Sequence, residues 1–477
     1  MNASNKSLER IANGWWTALI CTVVFAIPAQ AAGVHVPPFE RVQLKNGTVL
    51  LLTERHDVPL ITFQAVLRGG ASVDPPAKLG LASMTVSLFE KGAGQRNALQ
   101  FAQTVASVGG VIETDASTES TSVRGSFLAR DRALMVELLA DILQRPHLDA
   151  GEFTQLRDRN IEFIRAVKDS DLSSVLPIYA EAALFGAHPY GRPVGGDETS
   201  LASLTIDDVR QFYAQQIGAD RLILSVAGDF KTAEMKRLLA RAFADWRKAS
   251  QALPTIVAPA REHGRRVVLI DAPESVQSYF WAGNVGVARA DPRRAALDIS
   301  NTVFGGRFTS MLNAELRTRT GLSYGASSRF DRMSQPGYWA LSSFTRTETT
   351  IEAIDLAYSL LDKLRANGID SSLVNSAQSY VLGQFPLALE TGSQWASQLA
   401  TLEFYGLDRH YIDDYPAALT AVDAPRAHAV IDQVFPASTD TVLVVIGKAS
   451  AIRDGLKKYG PVTEMKLSDP TFGSPRK

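Results

Sequence analysis

Apolar positions along the chain recur with two different spacings, and the switches between them mark its elements. Near residue 40 they alternate as in strands: 41–44 and 49–53 flank Asn46-Gly47, a hairpin dipeptide, and 60–67 follows up to Gly69-Gly70. Three- and four-residue spacing then predicts helices over 80–92 and 98–108, the second closed by Gly109-Gly110. Residues 111–127 carry Thr, Ser and Val at strand density, and 130–144 and 149–168 read as helices. A helix over 204–216 opens on Thr205 with Asp208 three residues later, a loose capping box. The apolar run 222–227 ends at Gly228-Asp229-Phe230, and a helix over 232–246 follows.

Residues 249–263 hold two prolines and little periodicity, which marks a linker. After it the order starts again. Strands are predicted at 266–270 and 276–285, helices at 290–303 and 308–319, and strands at 323–330 and 338–345. Helices at 349–366, 371–382, 394–405 and 424–434 lead to a strand at 441–446, closed by Gly447 before a helix from 449. The ends Val226-Ala227-Gly228 and Val445-Ile446-Gly447 are spaced like the strands that begin near 60 and 278. That is a repeat of roughly 220 residues, a duplicated α+β domain. The expected division is 38–248, the linker 249–263 and 264–460, with a cleft between the two domains.

Composition narrows the partners. A chain of 477 residues with 45% hydrophobic and 21% charged residues is ordinary for a soluble globular protein. A net charge of -1 without a basic tract argues against nucleic acid. Residues 1–31 have a charged start (Lys6, Arg10), an apolar run over 15–27 and the small-x-small site Ala29-Gln30-Ala31. The run is shorter than the ~20 residues of a spanning helix, so a cleaved secretory signal is expected rather than a membrane anchor. The mature protein is then periplasmic and free of the membrane. Cys21, the only cysteine, lies in that segment, which leaves neither disulfide nor thiol chemistry.

The stretch 305–324 concentrates the chemistry. Phe308, Met311, Leu312, Glu315 and Leu316 have helical spacing, Thr309 or Ser310 can cap the start, and Gly321 can stop the helix. Arg317 near the helix end and Tyr324 past the break can then converge on one point as hydrogen-bond donors. The alternative pairs Arg317 with Glu315 or another carboxylate and packs Tyr324 into a strand.

These motifs together resemble the pitrilysin/insulinase (M16) family of zinc peptidases, which includes mitochondrial processing peptidase and the core proteins of the bc1 complex. The resemblance runs from about residue 40 to 455. It rests on Gly80-Leu81-Ala82, Gly109-Gly110, His188-Pro189-Tyr190-Gly191-Arg192-Pro193, Gly228-Asp229-Phe230 and Leu316-Arg317 with Gly321-Leu322-Ser323-Tyr324. It implies two homologous α+β domains, each a mixed sheet with helices packed on one face, enclosing a cleft. Catalytic members follow Gly-Leu-Ala with His-x-x-Glu-His; here those positions are Ser83, Val86 and Ser87. A hydroxyl is a poor zinc ligand and valine accepts no proton, so neither metal nor another cofactor is expected in this chain. His35, His56, His147, His188, His263, His410 and His428 are scattered, and Glu162, near the family's third ligand, reads as a helix-surface carboxylate.

The resemblance also assigns substrate contacts. Gly110, Ile112, Glu113 and Thr114 match an edge strand that pairs with extended peptides, with Glu113-Thr114 standing where Asn-Ala is usual. An ordinary edge strand protected by Glu113 and Asp115 is the other reading. Arg317 and Tyr324 match a pair that reaches the substrate carbonyl beside the scissile bond. The expected protein is the non-metal-binding subunit of a periplasmic heterodimeric zinc metallopeptidase, inactive alone. A homologous partner subunit would carry zinc on an intact motif, and an unfolded peptide or small polypeptide would be the substrate. A catalytically inert scaffold or assembly protein, like the bc1 core proteins, is the alternative.

Overall fold

In the computed structural model, which describes residues 34–473, the first half is built on a mixed six-stranded sheet. Its strands are β1 (Glu40–Gln43), β2 (Val49–Glu54), β3 (Leu60–Arg68), β4 (Val111–Ala116), β5 (Ser120–Leu128) and β6 (Leu222–Gly228). Their order is β1-β2-β6-β3-β5-β4, with β2 and β6 parallel and the other pairs antiparallel. The β1–β2 hairpin turns at Asn46-Gly47, and the single strand-like stretch 111–127 resolves into β4, a short turn and β5. The expected signal segment and Cys21 lie outside the described residues.

The second half repeats this plan with β7 (Arg266–Asp271), β8 (Gln277–Val285), β9 (Ala326–Asp331), β10 (Tyr338–Arg346), β11 (Val442–Gly447) and β12 (Val462–Lys466). The order is β9-β10-β8-β11-β7-β12. Five strands correspond across the repeat, but the outermost does not: β1 is antiparallel to its neighbour and β12 is parallel. β12 also carries the sheet past residue 460.

Each sheet has two buried faces, which explains why β6 and β11 are buried throughout and, Ser225 apart, carry no polar side chain. In the first sheet Leu50, Leu52, Leu222, Leu224 and Val226 point to one core, where the helices of the same half pack. Val49, Leu51 and Ile223 point the other way and meet Trp395, Leu399 and Leu402, residues of the second half. The second sheet mirrors this. Val267, Leu269, Leu443 and Val445 face its own helices, while Val268, Ile270, Val444 and Ile446 meet Val175, Leu176 and Tyr179 of the first half.

The halves therefore exchange helices. Besides α1 (Leu81–Ser87) and α2 (Ala150–Ser170), the elements that matter are α3 (Leu172–Phe185) and α4 (Gly392–Tyr405). α3 belongs to the first half and covers the second sheet; α4 belongs to the second and covers the first. The sequence reading assigned α3 no element. It is apolar nearly all round and contains Pro177, so neither a polar stripe nor an uninterrupted helical pattern marks it. Polar contacts reinforce the exchange: Arg266 donates to the Ala183 carbonyl at 2.7 Å, and Arg68 to the Phe404 and Glu403 carbonyls at 2.6 and 2.9 Å.

Candidate functional site

α1 is held at its start by a buried carboxylate. Asp74 accepts from the Gly80 and Ala82 amides, each at 2.9 Å, and so satisfies two amides that a helix start leaves without a partner. Burial pushes its carboxyl up to about 8, with those amides and Arg192 pulling the other way. Gly80 has φ 85°, and a side chain there would strike the backbone of Gly195 and Gly196 at 2.9 Å. The glycine loop at 191–196 thus abuts the start of α1.

On α1 the positions expected to have lost the metal motif are Ser83, Val86 and Ser87. Val86 is 1% exposed in the core, while Ser83 and Ser87 are half-buried. Ser83 lines a cavity of about 370 Å³ with Asn160, Phe163, Glu181, Arg192 and Phe472. Asn160 is turned to Met84, its Nδ2 lying 3.3 Å from Sδ. Glu162 does not line the cavity; it is exposed and pairs with Arg165 at 2.8 Å. The Glu181 carboxyl is pushed up to about 7, first by burial and then by Asp331, with Tyr338 and Arg329 opposing. One carboxylic acid, a hydroxyl and an amide do not make a zinc site, and no group of three His, Cys, Asp or Glu able to hold a metal occurs among the described residues. Among the described residues, the donors beside Ser83 do not fit zinc.

β4 is the edge of its sheet, pairing only with β5 among the described residues. Gly110 closes the preceding helix through its amide on the Val105 carbonyl, and Ile112 is buried in the core. Glu113 stands opposite Arg124 and pairs with it at 2.7 Å, and the Thr114 hydroxyl donates to Glu90 at 2.6 Å. Both side chains are thus committed within the first half, while the outer backbone edge stays open. Val111 and Glu113 border a cavity of about 560 Å³ with Val58, Leu60 and the start of α4.

Arg317 and Tyr324 do come together. Ser310 caps the short helix Met311–Asn313, which continues as the wider π-turn Ala314–Arg319. Leu312 and Leu316 anchor it in the core. Gly321, at φ 66°, turns the chain back, and Ser323 and Leu322 are bonded onto β10 through Ser343 and Thr345 at 2.9 and 2.6 Å. The Arg317 guanidinium then lies 4.4 Å from the centre of the Tyr324 ring and 4.6 Å from that of Phe308. Both rings are open to solvent, 74% and 64% exposed. Glu315 pairs with Arg319 instead, and Arg317 makes no ion pair among the described residues.

Phe308 is a correction. Its spacing placed it on the apolar face of a helix over 308–319, but the Ser310 cap starts the helix later and leaves Phe308 stacked outside it. Of the two caps the sequence offers, Ser310 is the one used, and it overrides the helical spacing that placed Phe308 on the apolar face.

Two family models match the chain: insulinase (peptidase family M16) over residues 51–198, and the peptidase M16 inactive domain over 203–381. An uncharacterized zinc protease of Mycobacterium leprae is 27% identical over 363 residues, covering 76% of this chain and 81% of the relative. A non-peptidase homolog of Helicobacter pylori, YmxG, is 22% identical over 363 residues, covering 76% and 83%. Among solved structures, a peptidase M16 inactive domain from Pseudomonas fluorescens superposes with a TM-score of 0.80 at 21% identity, over 86% of this chain and 98% of that one.

Proposed function

The chain belongs to the M16 peptidase family, as a member of its inactive type, and on that premise we propose that it is the non-metal-binding subunit of a periplasmic heterodimeric zinc metallopeptidase. A homologous subunit with an intact His-x-x-Glu-His helix carries the zinc chemistry. This chain contributes Arg317 and Tyr324, which bind and polarise the carbonyl of an unfolded peptide or small polypeptide.

The observation that supports this reading is the state of Arg317. A guanidinium stacked between two solvent-open rings, with its charge not spent on a carboxylate, is already oriented for an acceptor arriving from outside the chain. Tyr324 adds a directional phenol donor beside it. Aimed at a developing oxyanion, one such donor contributes about 10²–10³ in rate. The open edge of β4 fits a peptide added as a strand, bound through backbone rather than through Glu113 or Thr114.

The test is to purify this chain alone and with an exported homologue that carries the intact motif, and to assay peptide cleavage. Activity confined to the mixture and lowered about 10²–10³-fold by Arg317→Ala, with assembly intact by size-exclusion chromatography, supports the proposal. Undiminished cleavage in Arg317→Ala and Tyr324→Phe rejects it. The second reading, an inert scaffold, draws on the Glu113–Arg124 pair, which ties up an edge-strand side chain. It predicts assembly with that homologue and no change of cleavage on adding this chain.

A further inference from the structure

Beyond β12 the chain leaves the second half and crosses to the first. Leu467 donates its amide to the Asp271 carbonyl at 3.0 Å, still on the second sheet. Asp469 then turns the chain, its carboxylate accepting from the Lys466 amide at 2.9 Å. From there the bonds go to the first half. Lys168, with a side chain only 4% exposed, donates to the Asp469 carbonyl at 2.7 Å and to Glu198 at 2.9 Å. The Glu198 amide donates to the Pro470 carbonyl at 3.1 Å. Arg165 holds the other oxygen of Glu198 at 2.8 Å.

These bonds seat one side chain. Phe472 is 2% exposed, its ring edge-on to Tyr179 with centres 5.0 Å apart and the Lys168 ammonium 5.0 Å from its own centre. It lines two cavities at once. One is the cavity of about 370 Å³ beside Ser83; the other, of about 700 Å³, runs past Leu79, Tyr179 and Met465. Gly191, Arg192 and Pro193 are also common to both. The ring of Phe472 therefore stands, with these loop residues, at the border between the cavity beside α1 and the one along the junction of the halves.

We infer that residues 467–473 are a latch: anchored through Lys168 and Glu198, they hold Phe472 as the wall that keeps the cavity beside Ser83 shut off from the junction between the halves. Release of the latch joins the two cavities into one groove along α1 and α3. A strap bonded to the first half mainly through two carbonyls and one buried aromatic ring opens at lower cost than the sheets beneath it.

The test uses the full chain with Cys21→Ser and Ser83→Cys, so that a single thiol reports access to the cavity. Adding Phe472→Ala is expected to speed labelling by a maleimide at least about tenfold, while Phe472→Leu stays near the parent rate. Hydrogen exchange is measured on the same variants. Exchange should rise in 467–473, α1 and α3 and stay unchanged in β6 and β11. Unchanged labelling with exchange raised only in 467–473 overturns the latch and leaves a passive tail. A rise that extends through β6 and β11 overturns it as well, because Phe472 would then be a part of the global core.

Discussion

At the scale of single residues, the α1 positions Ser83, Val86 and Ser87 and the Arg317–Tyr324 pair differ in what surrounds them. Val86 lies in the core, so placing a carboxylate there means burying a charge. Val86→Glu is expected to cost about 3 kcal/mol or more, against under about 1 kcal/mol for Ser83→His or Ser87→His, read from urea midpoints. Asp74 supports the same helix from outside it. Asp74→Ala leaves two buried amides without acceptors and should cost about 2–3 kcal/mol with an unchanged m-value. Arg317 is the contrary case, half-buried and stacked on two exposed rings rather than buried and paired. The proposed function requires that Arg317→Lys, assayed with the motif-bearing homologue, retain under about a tenth of parent kcat/KM, because a point charge on a flexible stem replaces a planar fork held between two rings. The sequence left convergence of Arg317 and Tyr324 about the glycine stop open beside an Arg317–carboxylate pair, and it left the place of Phe308 open too, because the choice of cap decides on which side of the helix start that residue falls.

At the scale of elements, the exchanged helices carry the junction of the halves. Trp395 on α4 is buried against the outer face of the first sheet, and Trp395→Ala should destabilise the chain by about 3–5 kcal/mol, measured by chemical denaturation. α4 was foreseen as a helix over 394–405 but not as a cover for the other half's sheet, and α3 was not foreseen at all. An amphipathic pattern announces one buried face; it does not name the surface that will meet it. The strap at 467–473 has its own pH dependence. Burial raises the Glu198 carboxyl, but Lys168 and Arg165 outweigh burial and hold it below the usual carboxylate range. That stabilisation is present above the ordinary value and is lost as pH falls through the lower folded value. Unfolding by urea at pH 6 and pH 3 should therefore show a smaller acid loss in Glu198→Gln than in the parent.

At the scale of the whole molecule, the described chain from Val34 onward is one compact unit although its sequence is a duplication. Each sheet borrows a helix for its outer face, so neither half can bury its own apolar surface alone. Residues 38–248 expressed by themselves should aggregate or remain expanded by size-exclusion chromatography and circular dichroism. The full chain should unfold in one transition with coincident probes. A stable, monomeric first half would show that the exchanged helices are dispensable.

Local pattern alone determined the strands, most helices and the repeat, and residue identity alone leaves Ser83, Val86 and Ser87 on α1 without a side chain suited to zinc. These depend on residue identity and on spacing of two or 3.6 residues, which a linear sequence carries in full. Tertiary structure alone decided that α3 and α4 change places, that Glu162 turns away from the Ser83 cavity, that Phe308 completes the stack on Arg317, and that Phe472 lines the cavity beside Ser83. Each of these joins residues far apart in the chain, and the contacts that select them exist only once the sheets are assembled.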